Sequence, residues 1–225
     1  MITLTLKNVV YDYVSKAGIT HALKGVSAEF ISGKLYAITG RSGSGKTTLL
    51  SLLAAFDRPK SGDILLNGVS ILTYNSVDYR RENIGMIFQS YNLIGHLTAL
   101  ENVMLASEIC KTKRKKSEQK QLAMHVLRQV GLWVEHIKKR PLTLSGGEQQ
   151  RVAIPRAIAS DSPIILADEP TGNLDNENSE NILNLLKCLA HENNKCVILV
   201  THSEEIAQQA DIRIHMSDGI VQSEM

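Results

Sequence analysis

Three observations predict an α/β fold with parallel strands for this sequence. Short apolar runs alternate with longer stretches of helical periodicity. Three of those runs, residues 35–39, 164–167 and 196–200, are apolar almost throughout, as strands covered on both faces must be. A glycine-rich turn also joins the first run directly to a helical stretch, the kind of connection on which α/β architectures are built.

Taken in order, the opening region to about residue 30 reads as strands, beginning with the apolar–polar alternation of residues 1–7. Strand 35–39 follows, then a helix over 46–55. Shorter strands are predicted between residues 64 and 88, with turns at Ser61-Gly62 and Asn67-Gly68. Helices are predicted over 99–109, 118–130 and 146–159. The strand–helix alternation then resumes with strand 164–167, helix 177–192, strand 196–200 and helix 204–209. The helices from about 90 to 155 break that alternation, so they form a helical subdomain inserted in one domain spanning 1–225. Its α/β core is 1–89 and 156–225. Pro155 falls inside the 146–159 helix, where it should kink the chain at a cost of about 3 kcal/mol.

With 43% hydrophobic and 21% charged residues in 225, the chain can bury a substantial core, and disorder is excluded over most of it. A formal net charge of +2, evenly spread, gives no argument for nucleic acid as a partner. No apolar run approaches the roughly 20 residues of a spanning helix, and residues 1–7 lack the pattern of a signal peptide. Cys110, Cys188 and Cys196 have no metal-ligand spacing and suit a reduced cytosolic compartment. The basic run 111–116 reads as a solvated turn, with a phospholipid surface or an acidic partner loop as the alternative.

The turn Gly40-Arg41-Ser42-Gly43-Ser44-Gly45-Lys46-Thr47 matches G-x-x-x-x-G-K-[ST] between a strand and a helix. Glycines let successive N–H groups point around an anion, and the helix start adds its dipole. Lys46 supplies a charge for β- and γ-phosphates, and the Thr47 hydroxyl is a ligand for Mg²⁺. Chance would produce the pattern in about one such chain in a hundred. Strand 164–167 runs into Asp168 and Glu169. Asp168 at a strand end can hold the metal's water shell, and Glu169 can deprotonate an attacking water. A further strand ends at Thr201-His202, and a histidine at that edge can hydrogen-bond a γ-phosphate oxygen.

A second glycine motif, Leu144-Ser145-Gly146-Gly147-Glu148-Gln149, opens another helix, with Ser145 as a good N-cap. A phosphate-loop kinase has no use for it. Here the sequence resembles the ATP-binding cassette (ABC) ATPases along essentially its whole length. The resemblance implies a P-loop NTPase (RecA-like) core with an antiparallel β subdomain and an inserted α-helical subdomain. It implies ATP and Mg²⁺ as cofactors, with Gly40, Arg41, Ser42, Gly43, Ser44, Gly45, Lys46, Thr47 and Thr48 on the phosphates. By the same resemblance Tyr13 stacks on adenine, with Tyr11 a weaker candidate. Gln89 and His202 join the general base Glu169 in catalysis, and Thr47, Gln89 and Asp168 serve the metal. Residues 145–149 correspond to the family's signature motif; its Ser145, Gly146 and Gly147 meet the nucleotide of a second copy, in a homodimer closed by ATP, and Asp175 is a further nucleotide-binding residue.

The subgroup it looks like comprises ATPases of lipoprotein-releasing, macrolide-exporting and antimicrobial-peptide-exporting systems, and of the FtsE type. Residues 84–94, 97–103 and 171–175, and a long loop after Tyr13 within 9–23, carry that likeness. It implies a separately encoded membrane permease, docked near Gln89 and the helical subdomain. The chain would then sit in the cytoplasm, peripheral on the membrane. The alternative is an ATPase that regulates a cell-envelope complex or serves a soluble assembly machine.

Overall fold

The computed structural model describes residues 1–16, 18–110 and 112–224; Lys111 of the basic run lies outside them, and the side chains of residues 223 and 224 are not considered. Strands β1 (Thr3–Ser15) and β2 (Gly18–Ile31) form a long antiparallel hairpin. The long loop expected after Tyr13 is therefore not there. Pairing continues through Tyr13↔Thr20 and Val14↔Ile19 to Ser15↔Gly18, because the alternation of β-branched and polar residues carries on past the tyrosine.

Strand β3 (Lys34–Thr39) leads through the glycine turn into α1 (Lys46–Leu53). Then come β4 (Ser61–Leu66), β5 (Val69–Ser70), α2 (Ser76–Asn83) and β6 (Ile84–Ile87). Helix α2 occupies a stretch predicted as strand. Asn75 caps it by accepting from the Val77 and Asp78 N–H groups, and only Tyr79 is buried, its hydroxyl donating to Leu53 O at 3.0 Å. A helix with one buried residue has no amphipathic period to read.

Helices α3 (Ala99–Ile109), α4 (Lys116–Gln129), α5 (Val134–Ile137) and α6 (Gly146–Ala159) pack together as a helical subdomain. Capping boxes at Thr98/Glu101 and Ser145/Glu148 set the predicted starts of α3 and α6. Helix α6 runs unbroken through Pro155 to Ala159, across the boundary expected at 155. Strand β7 (Ile164–Asp168), α7 (Asn176–His191), β8 (Cys196–Val200), α8 (Glu204–Ala207), β9 (Ile212–Ser217) and β10 (Ile220–Glu224) complete the order. The β9–β10 hairpin turns on Asp218-Gly219, both at positive φ. An Asp-Gly dipeptide is a strong hairpin signal, because both of its residues tolerate positive φ.

The strands form a four-stranded antiparallel sheet, β2-β1-β4-β5, and a six-stranded sheet, β10-β9-β3-β8-β7-β6, parallel except for β10. Alternate residues of the central strands enter different cores. Leu35, Ala37, Ile165 and Val197 pack with the helical subdomain and α7, whereas Tyr36, Ile38, Leu166 and Ile198 pack with α1 and the antiparallel sheet. Two buried faces explain why these strands read as unbroken apolar runs. The register Ile38↔Val200 and Asp168↔Val200 brings the ends of β3, β7 and β8 to one edge of the sheet, where α/β proteins hold their ligands. No helix among the described residues is long and apolar enough to cross a membrane.

Candidate functional site

The glycine turn leaves β3 at that edge. Gly40, Gly43 and Gly45 all have positive φ, and α1 begins at Gly45 without a side-chain cap. The first N–H groups of α1 therefore have no competing side-chain acceptor. Lys46 Nζ donates to the carbonyls of Gly40 at 2.8 Å and Arg41 at 2.9 Å, so the ammonium folds back over the turn. Burial lowers its pKa, against the pull of Glu169 and Asp168. Ser44 Oγ is buried without a hydrogen-bond partner inside the same turn.

Asp168 ends β7, buried, and bonded to the Thr47 side chain; burial raises its pKa. Glu169 follows at φ 50, its N–H donating to Val200 O at 3.1 Å, which ties the left-handed residue to the end of β8. Burial raises the Glu169 pKa too, opposed by His202. His202 Nε2 lies 3.1 Å from Glu169 Oε1, an ion-pair contact without hydrogen-bond alignment, and the His202 N–H reaches Oε2 at 3.4 Å. A carboxylate held short of full compensation beside an imidazole can accept a proton.

A cavity of about 410 Å³ gathers Tyr13, Lys46, Thr47, Gln89, Asp168 and Glu169. Ser42, Gly43, Gly45, Thr48 and His202 also line it, as do Thr20 and Ala22 of β2, which the sequence did not single out and which carry no motif. Tyr13 stands at one end with its hydroxyl 3.1 Å from Thr48 Oγ1, and Tyr11 meets it edge-on at 5.1 Å. A second cavity of about 620 Å³ shares Gln89, Glu169 and His202 and continues past Asn173 to Ser179 of α7. Thr47, Asp168 and Gln89 offer only hard oxygen donors at the first cavity, and the buried Asp168 carboxylate is one a cation would favour. That donor set fits Mg²⁺ with retained waters.

The other predicted residues lie elsewhere on the chain. Ser145, Gly146, Gly147 and Asp175 do not line the first cavity. A Cβ on Gly147 would stand 3.3 Å from Asn173 O, so the signature turn packs beside the residues leading to α7. Asp175 caps α7, its carboxylate accepting from the Asn178 N–H at 2.8 Å, which lowers its pKa. A Cβ on Gly146 would stand 3.0 Å from the Tyr91 hydroxyl. Tyr91 and Asn92 both have positive φ, and their carbonyls accept from the Arg156 guanidinium of α6. This clamp links the segment after Gln89 to the signature helix. Nothing in the sequence pattern marks Arg156 for it.

A family model described as "ABC transporter" matches residues 23–172. The chain is 43% identical over 219 residues to an uncharacterized ABC transporter ATP-binding protein, YclH, of Bacillus subtilis, covering 97% of this chain and 95% of that protein. It is 41% identical to the macrolide export ATP-binding/permease protein MacB of Pasteurella multocida over 96% of this chain, but over only 33% of MacB. It is 40% identical to the lipoprotein-releasing system ATP-binding protein LolD 2 of Rhodopirellula baltica, covering 89% and 81% of the two chains. The dimeric post-hydrolysis structure of the ATP-binding cassette MJ0796, bound to ADP and Pi, superposes with a TM-score of 0.93. It is 38% identical and covers 99% of this chain and 97% of that one.

Proposed function

This chain belongs to the ABC transporter family, and from that premise we propose how its residues divide the work of an ATP-hydrolysing transport subunit. The observation that carries the reading is the separation of the two anion cradles: one lines the nucleotide cavity and the other does not. One copy of the chain then holds ATP at Tyr13, the glycine turn and Lys46. A second copy closes over the γ-phosphate with Ser145, Gly146 and Gly147, and Asp175 sets the α7 end beside them. Thr47, Asp168 and Gln89 hold Mg²⁺, which when bound offsets phosphate charge. Glu169 takes the proton of the attacking water. His202 stabilises the Glu169 carboxylate and presents a donor to the γ-phosphate.

Domain limits of 1–89 and 156–225 for the core, with 90–155 inserted, suit this division, α6 bridging the two parts. The partner is a membrane permease, by likeness to MacB, a third of which this chain covers and which is named an ATP-binding/permease protein. The cargo class would be a peptide, drug or lipoprotein, by likeness to MacB and LolD 2. The place of work is the cytoplasmic face of the membrane. Glu169→Gln tests the site: ATP binding is retained, hydrolysis is lost, and the variant accumulates as an ATP-loaded dimer in gel filtration. A variant that binds ATP and stays monomeric overturns the two-copy site.

A further inference from the structure

The second glycine turn carries a side-chain brace that the division of labour above leaves unused. Ser145 Oγ accepts from the Glu148 N–H at 3.3 Å, and Glu148 Oε2 accepts from the Ser145 N–H at 2.6 Å. The other carboxylate oxygen, Glu148 Oε1, lies 3.3 Å from His136 Nε2. His136 stands in α5, outside the motif, and is itself oriented. Its Nδ1 accepts from the Trp133 N–H at 3.2 Å, so the ring proton sits on Nε2, the atom that faces Glu148. Both side chains are about four-fifths buried, which limits the screening of the contact by solvent.

This arrangement decides what the Ser145 hydroxyl has left to give. Its oxygen is used as an acceptor by the helix cap, and its own N–H is taken by Glu148. The hydroxyl hydrogen is then the remaining donor; the Glu148 carboxylate also draws on it, and an anion outside the chain would compete for it there. Should Glu148 swing away, the cap loosens and Oγ loses the bond that orients it. Lys139 also draws on the Glu148 charge, but a diffuse attraction does not fix a rotamer.

We propose that His136 is a positioning residue for Ser145: by holding Glu148 it keeps the Ser145 hydroxyl aimed at the phosphate of the nucleotide bound to a second copy. The inference rests on the two-copy reading of the signature turn.

The test compares Glu169→Gln alone with the same protein carrying His136→Ala or His136→Gln, each titrated with ATP and followed by light scattering after gel filtration. His136→Ala weakens ATP-driven dimerisation by roughly tenfold, because the contact of the Nε2–H with a partly buried carboxylate is worth about threefold and two turns close per dimer. His136→Gln, which keeps a donor near the Nε2 position, recovers most of it. Binding of a fluorescent ATP analogue to the monomer is unchanged in both. In the nucleotide-free chain, amide exchange at Ser145 and Glu148 quickens in His136→Ala while α3 stays protected. Dimerisation of His136→Ala as tight as the parent's, or equal loss in the Ala and Gln variants, overturns the proposal. If Glu169→Gln alone binds ATP and never dimerises, the two-copy site itself falls and the role of His136 falls with it.

Discussion

Replacing Gly40 by alanine probes how the phosphate turn is built, and Gly43 supplies its control. Gly40 has φ +143, and a Cβ there would stand 2.2 Å from Met216 O and 2.8 Å from Ser44 Oγ. Gly43 has φ +78, with no atom within 4 Å of an added Cβ. Both substitutions incur the conformational cost of a non-glycine residue at positive φ, about 1–3 kcal/mol. Only Gly40→Ala adds overpacking against backbone, about 1–3 kcal/mol more. Met216 O belongs to β9, which is hydrogen-bonded to β3, so the sheet cannot retreat and the turn must. Gly40→Ala is therefore expected to cost about 2–6 kcal/mol in urea unfolding without nucleotide, and Gly43→Ala about 1–3 kcal/mol. Displacement of the turn also shifts the Gly40 carbonyl that holds Lys46, so ATP affinity falls in Gly40→Ala. Equal losses of stability in the two variants, at unchanged m, would refute the argument from the Met216 carbonyl.

Burial raises the Glu169 pKa, and a protonated carboxyl cannot accept a proton. The ATPase rate is thus expected to fall with decreasing pH along a limb lying above the ordinary glutamate range, as a rate–pH profile would show. The same shift means that the charged form costs the nucleotide-free fold stability. Glu169→Gln should raise the Tm at neutral pH, and the gain should vanish as pH falls through the raised folded-state pKa. The buried Asn102 side chain accepts from the Ile94 N–H at 2.8 Å and donates to the carbonyls of Ile94, Leu97 and Thr98. Asn102→Ala strands those groups and should cost about 2–4 kcal/mol in denaturant unfolding. Pro155→Ala regains about 3 kcal/mol of helix propensity and gives up two buried methylenes at about 0.8 kcal/mol each. Its Tm should rise by a few degrees, with the ATPase rate unchanged because α6 already runs through the site; a fall in Tm would count against this.

Legibility in the sequence followed burial and chemistry. Strand Cys196–Val200 and helices Ala99–Ile109 and Gly146–Ala159 have the predicted bounds; one is buried on both faces and the others begin at capping boxes. Helix α2 was hidden because a single buried tyrosine gives no period. Gly43, Gly45, Lys46, Thr47 and the Asp168-Glu169 pair were legible because few residue types can perform phosphate chemistry, and the fold brings them to one cavity, which Gly40, Arg41 and Ser44 of the same turn do not line. Tyr13 was identified by resemblance alone, and it lines the same cavity. The Arg156 clamp and the His136 brace were not legible. Each joins side chains to partners in separate elements, and neither leaves a local pattern.

The two cradles also differ in how they are anchored, and that difference bears on how a closing dimer can do work. The phosphate turn is fixed on both sides: Gly40 presses on the β9 backbone, Gly219 N–H donates to Ser44 O, and α1 lies in a core shared by both sheets. It has little room to move without breaking buried packing. The signature turn belongs to the helical subdomain, which shares a buried core with the sheet and α7 and is joined to it by α6 and by Tyr91 and Asn92 in left-handed conformations, gripped by one guanidinium. Residues in that region revert readily to other wells once their clamp is released. Gln89 lies two residues before this link and lines both cavities. A change at the γ-phosphate end of the site therefore reaches the joint of the helical subdomain along a few residues of backbone.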